Sequence, residues 1–198
     1  MAPAGGVAAR ERRTQRERSD STKTRLADAA IESLVDRGWA ATTVVEVCAR
    51  AGVTRGAFHH HYDGLAELLA DALRRLYDEL VARSGDWRVD VAGRLDAAWS
   101  ALATPNFKAV IEVWLAMAND PELAVEIGPV VADFASLIAF DARALPVKQR
   151  AAARTFYVLA RETMIGLALG RATNGGRALP HERAVLAELK RQARAVTS

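Results

Sequence analysis

The chain has 198 residues, 51% hydrophobic and 26% charged, the balance of one compact globular unit or two small ones, not of a disordered or fibrous chain. Cys48 is the only cysteine, so no disulfide framework forms within one chain and a reducing compartment is expected. The net charge of +3 names no partner. The longest uncharged run, residues 97–107, falls well short of the roughly 20 residues of a membrane helix. A soluble, cytoplasmic protein without a membrane partner is expected.

In chain order, residues 1–19 form an Arg-rich arm with too little apolar area to bury, and no fixed structure is expected there. Over residues 1–25 seven bases face three acids, a local surplus larger than that of the whole chain. A first helix is expected over 22–37. Leu26, Ala30 and Leu34 recur along one face, Asp28, Glu32 and Asp36 along the other, and Gly38 supplies the stop. A second helix begins at Thr43, where Thr43-Val44-Val45-Glu46 has the form of a reciprocal capping box. Val44, Val47, Cys48 and Ala51 face inward, and Gly52 ends the helix. Val53 plugs the turn and Thr54 caps a third helix carrying Arg55, Gly56, Ala57, Phe58, His59, His60 and His61. Phe58 is its single large apolar anchor. A fourth helix over 65–84 shows a clean amphipathic period from Leu65 to Leu80 and stops near Gly85. More helices are expected over 89–103, 106–118, 121–143, 147–172 and 180–196, punctuated by Pro105, Asp120-Pro121, Pro146 and Asn174-Gly175-Gly176. No segment alternates like a strand, so the chain reads as all-α.

Two short helices around a glycine turn, the second poor in apolar residues, describe a helix-turn-helix. Its second helix would lie in the major groove, where base pairs present distinguishable edges. Gly56 and Ala57 are small enough to let the backbone approach them. Arg55 is the foremost candidate for reading sequence, since bidentate Arg to guanine is the commonest specific contact. The run His59-His60-His61 is not a metal site, because successive helical residues point roughly 100° apart and cannot converge on one ion.

Arg25-Leu26-Ala27-Asp28-Ala29-Ala30, Gly38, Thr43-x-x-Glu46-Val47 and the run from Ala51 to Tyr62 resemble the TetR family of transcriptional regulators, over roughly residues 20–80. The resemblance implies an N-terminal three-helix DNA-binding domain over 20–65 with the fourth helix as connector. A C-terminal helical domain over 85–198 would bind an effector and dimerise. The sequence holds no phosphate loop, no cysteine pair, no His-Glu-x-x-His and no nucleophile motif, so no cofactor and no enzymatic activity are expected. The resemblance places Thr43 against a DNA phosphate and Arg55, Gly56, Ala57 and His60 toward the bases. Thr54, His59, His61 and Tyr62 complete the expected DNA-binding set. Val45 and Leu65 depart from the family pattern: some members carry a base-reading Arg at the first position, and most carry a phosphate-binding Lys at the second. The basic arm would offset that loss.

The expected partners are operator DNA, a small-molecule effector and a second copy of the chain. Trp99, Val110, Trp114, Met117, Phe134 and Tyr157 are the expected pocket residues, with Glu112, Asp133 or Glu162 placed to orient a polar or cationic ligand. The last two helices, with Gly166-x-x-x-Gly170 and the seam Leu186, Leu189, Ala193 and Val196, suit a four-helix dimer interface. A homodimeric repressor released by its effector is one reading. A DNA-binding architectural or assembly factor without an effector is the other.

Overall fold

A computed structural model describes residues 5–83, 91–137, 143 and 145–197, with side chains described for 19–82, 93–135, 143 and 145–196. The described elements are helical throughout: α1 (Gly5–Arg37), a 3-10 turn (Trp39–Ala41), α2 (Val44–Ala51), α3 (Arg55–His59), α4 (Leu65–Arg83), α5 (Val91–Leu102), α6 (Phe107–Asn119), α7 (Pro121–Leu137), α8 (Val147–Thr173) and α9 (Glu182–Thr197). The chain divides into two compact units, residues 1–72 and 73–198, with the division inside α4. The elements agree with those read from the sequence in number and order, apart from the 3-10 turn. Gly85 lies outside the described residues, as do residues 1–4 of the arm and most of 138–143. The expectation of an arm without fixed structure does not match the backbone, which is helical from Gly5. Residues 8–18 are mostly Ala, Arg, Glu and Gln, strong helix formers, with no proline after Pro3.

In the first unit, α1 buries Leu26, Ala27, Ala29, Ala30 and Leu34. These pack with Val47, Cys48 and Ala51 of α2, Phe58 of α3, and Leu68, Leu69 and Ala72 of α4 as the buried set of that unit. Gly38 stops α1 with φ 75° and its amide on the Leu34 carbonyl at 3.1 Å. Ser33 is fully buried, its hydroxyl 3.0 Å from that of Thr42, which donates to the Gly38 carbonyl at 2.9 Å. The polar groups under the 3-10 turn are thus satisfied within the core.

The second unit has two packed groups. Leu95 of α5, Phe156, Ala160 and Met164 of α8, and Leu189 and Ala193 of α9 form one buried cluster, with Trp99, Leu186 and Val196 against it. α6 and α7 pack on one another and bury Phe107, Val110 and Val113 with Leu123, Ile127 and Val130. Asp120 caps α7, accepting from the Glu122 and Leu123 amides at 3.0 Å each; Pro121 at the first helical position has no amide to satisfy. Gly170 receives Leu179: a Cβ there would lie 2.8 Å from the leucine Cδ1, whereas one at Gly166 would meet nothing within 4 Å. The glycine pair therefore serves α8 and its following loop within this chain at one position only.

The turn between α2 and α3 is the most constrained point of the first unit. Gly52 adopts φ 61° and ψ 40°, the left-handed region that costs an L-residue roughly 1–2 kcal/mol. Arg25 donates from Nη2 to the Ala51 carbonyl and, at 3.0 Å, to the Gly52 carbonyl. A Cβ at position 52 would lie 3.1 Å from that same Nη2. Gly52→Ala is therefore expected to cost about 1–2 kcal/mol and Arg25→Ala about 1 kcal/mol. Because the two share one contact, the double variant should fall short of the sum by about 0.5 kcal/mol or more. Urea denaturation of the four proteins measures the cycle, and strict additivity would show that the guanidinium does not hold the turn.

Candidate DNA-binding surface and ligand cavity

α2 starts at Thr43, whose hydroxyl accepts from the Glu46 amide at 3.2 Å. The expected reciprocal half of the capping box is not what Glu46 does. Its carboxylate instead pairs with Arg37 at 3.0 Å and Arg50 at 3.5 Å, and Arg50 also reaches Asp36 at 2.7 Å. Two guanidinium groups compete better for a carboxylate than one neutral amide does. α3 starts at Thr54, whose hydroxyl accepts from the Ala57 amide at 3.1 Å. Both hydroxyls keep a proton free to donate outward.

α3 is shorter than expected, ending at His59. Arg55, Gly56, His59 and His60 are exposed, Ala57 and His61 are half-buried, and Phe58 has no exposure at all. Thr43 and Thr54 are exposed as well. The structure thus gathers eight of the nine expected residues along the outer side of α2, the turn and α3. Tyr62 is the exception and is corrected here. It is 3% exposed, and its hydroxyl donates to Asp71 Oδ2 at 2.6 Å. Its ring lies 5.8 Å from Phe58 and under the Lys23 ammonium at 5.3 Å. A ring packed beside the Phe58 anchor serves the core and does not face outward.

Burial pushes the Cys48 thiol up, opposed by the charge of Arg55, which leaves it mostly protonated and poorly reactive near neutral pH. His61 lies below its ordinary range because of burial first, then the neighbouring His60 and Lys23. Arg25 is the residue of this surface whose role the sequence did not disclose, because its partners lie 26 and 27 positions away. Among the described residues no three His, Cys, Asp or Glu side chains cluster as metal ligands do, and no helix is long and apolar enough to cross a membrane.

The second unit holds a cavity of about 390 Å³, within the roughly 300–1,000 Å³ of small-molecule sites. Trp114, Phe134 and Tyr157 line it, as expected. Trp99, Val110 and Met117 do not. Trp99 packs on the α5–α8–α9 cluster under Arg171, whose Cζ is 5.8 Å from the ring centre, and Val110 is sealed in the α6 core. α6 turns Phe107 and Trp114 to the cavity, their rings edge to face at 5.9 Å. Trp114 Nε1 donates to the Tyr77 hydroxyl at 3.2 Å, and Tyr77 stacks on Phe134 at 4.0 Å. Burial pushes the Tyr77 hydroxyl up to about 12, so it stays protonated. Of the three expected acids only Glu162 reaches the wall, and it is taken by Arg161 at 2.6 and 2.9 Å; Glu112 pairs with Lys108 at 3.6 Å.

Two short helices joined by a left-handed glycine, the second nearly bare of apolar side chains, followed by an all-helical unit with a cavity, define a helix-turn-helix protein with a separate helical domain. The model of the family "Bacterial regulatory proteins, tetR family" matches residues 26–72. The chain is similar to the HTH-type transcriptional regulator CymR of Pseudomonas putida, 39% identical over 74 residues, 37% of this chain and 36% of that protein. It is also similar to the HTH-type transcriptional repressor KstR2 of Rhodococcus jostii (strain RHA1), 34% identical over 90 residues, 44% of this chain and 43% of that protein. These matches thus span less than half the length of either relative. A solved transcriptional regulator from Rhodococcus sp. Rha1 shares the fold over 88% of this chain and 95% of its own, with TM-score 0.60 and 24% identity. Residues 26–72 thus match the DNA-binding domain of the TetR family of bacterial regulatory proteins.

Two expectations follow. Tyr62→Phe removes the bond to Asp71 and should cost about 1 kcal/mol in urea denaturation; an unchanged midpoint would place the hydroxyl in solvent. The unfolded chain takes up a proton at His61 more readily than the folded one. Stability is then unaffected above pH 6.5 and declines as pH falls through 6.5 toward the lower folded value. His61→Gln should shallow that decline, and an identical slope in the variant would rule His61 out as its source.

Proposed function

We propose that this protein is a homodimeric transcriptional regulator acting in the cytoplasm, a repressor that leaves its operator when a small molecule enters the cavity of the second unit. The observation that carries the reading is the exposed outer edge of α3, held in place by one buried side chain, Phe58. An edge bearing Arg55, Gly56, His59 and His60 has little to bury and fits the major groove, where small residues permit close approach. In this reading Thr43, Thr54, His59 and His61 meet the phosphate backbone, Arg55 and His60 read base edges, and Gly56 and Ala57 admit the backbone. Val45, half exposed on α2, adds an apolar contact where some family members carry an Arg.

Dimerisation through α8 and α9 is supported by the exposed Val158, Leu159 and Leu169 on α8, a face that a partner's helices would cover. Two copies would set their α3 helices about 34–36 Å apart, one turn of DNA. The Arg-rich arm of residues 1–19 would add phosphate contacts. The cavity counts against an architectural factor without an effector, which would have a filled second unit.

Selection from a random duplex library is expected to yield an inverted repeat, with binding that weakens steeply as salt rises. On the selected duplex Arg55→Ala should cost about 1–3 kcal/mol and relax preference at one base position per half-site. Affinity and selectivity both unchanged in that variant would overturn the placement of α3.

A further inference from the structure

Three histidines follow one another where α3 ends, and the structure separates them. His59 and His60 are exposed, the first with its ring edge-on to buried Phe58 at 5.1 Å. His61 is half-buried, its ring 5.1 Å from that of His60. Burial, then His60 and Lys23, hold His61 below its ordinary range, so it resists a charge. His59 and His60 share the outer edge with Arg55. Arg55 on α3 and Lys23 on α1 are the cations beside these rings. Among the acids, Asp63 follows in the turn, and Glu67 of α4 accepts from its amide at 2.7 Å. Asp71 of α4 takes the Tyr62 hydroxyl, and Glu46 of α2 pairs with Arg37 and Arg50.

Like charges disfavour a further cation, and an opposing anion favours it. Duplex DNA supplies that anion along its whole backbone. Imidazole is the side chain whose charge changes between about pH 5 and 8. As a cation it donates from both ring nitrogens, which suits phosphate oxygens and the O6 and N7 acceptors of guanine. We propose that His59 and His60 meet the duplex as imidazolium cations, His59 at a phosphate and His60 at an acceptor edge of a base, so that DNA binding takes up protons and tightens as the solution turns acidic. The proposal rests on the DNA-binding reading above and adds the charge state in which that surface binds. Arg55 supplies a constant charge to the same edge; the two histidines supply a conditional one.

Affinity of the full-length protein for the selected duplex, measured by fluorescence anisotropy at fixed ionic strength, tests the proposal. It should rise roughly tenfold or more from about pH 8 to about pH 6, since a site that favours its charged form by one unit adds up to tenfold. The decline of affinity with salt should also be steeper at the lower pH, by about 0.9 in the log–log slope for one added phosphate contact. The stability loss expected from His61 acts in the opposite direction and does not imitate the gain. His59→Gln and His60→Gln keep polar side chains that cannot charge. Each should remove part of the pH dependence, the first should remove the change in salt slope, and the double variant should bind alike at both pH values. His59→Arg should stay tight at both. Affinity that stays level or weakens on acidification overturns the proposal, as does a pH dependence that survives in the double variant. Both side chains are exposed; should a variant still not fold, the two salt slopes of the unaltered protein decide alone. Tight, sequence-selective binding without pH dependence sinks the proposal and keeps the DNA-binding reading, whereas no selective binding at either pH sinks both.

Discussion

A helix of five residues cannot sustain itself in water, because fixing its first turn costs more than its few hydrogen bonds return. α3 is that short, so its existence depends on what lies under it. Phe58 supplies the largest share: it has no solvent exposure, and burying a side chain of that size contributes about 1.5–3 kcal/mol. The Thr54 hydroxyl adds a cap, and Tyr62, tied to Asp71, closes the C-terminal side. Everything on the outer edge can be small or polar because nothing there is needed for folding. The division of labour between one anchored face and one bare face is what makes a reading surface possible on so little chain.

The turn before α3 sets the angle at which that face is presented. Gly52 in the left-handed region lets α2 end abruptly, and Arg25 then binds the two carbonyls that this ending exposes. Those carbonyls are orphans of the helix terminus. A guanidinium satisfies both while keeping α1 against the turn. The ion pairs Arg50–Asp36 and Arg37–Glu46 cross between α1 and α2 as well, but at partly exposed positions, where such pairs contribute little. The geometry of the head is therefore owed to the apolar core and to one arginine, with the surface pairs as minor additions.

Most of this was legible in the residues. The α2 and α3 caps, the Gly38 and Gly52 stops, the Phe58 anchor and the α4 stripe follow from local rules whose partners lie within a few positions. What was not legible lies beyond that range. Arg25 reads as one more surface charge until a turn 26 residues away is folded against it. Tyr62 sits at the end of an outward-facing run, and only the return of α4 with Asp71 puts it inside. α6 is apolar on nearly every side, so its periodicity does not tell the Phe107–Trp114 stripe from the Val110–Met117 one. The helical backbone from Gly5 escaped notice for the opposite reason: that segment has no apolar period to detect.

The cavity raises a different physical question, since interiors are close-packed and a lined void forfeits dispersion contacts on its walls. Trp114 and Phe134 line that void and are both also tied to Tyr77. Trp114 bonds to the Tyr77 hydroxyl, and Tyr77 stacks on Phe134. An occupant that presses on either ring acts on Tyr77, a residue of α4. The same helix carries Asp71, which holds Tyr62 beside the Phe58 anchor. A ligand shifts a conformational equilibrium only by its difference in affinity for the two states. In the proposed regulator that difference would arise where the cavity meets α4: Leu80 and Val81 of α4 line it, and Tyr77 of α4 holds Trp114 and Phe134.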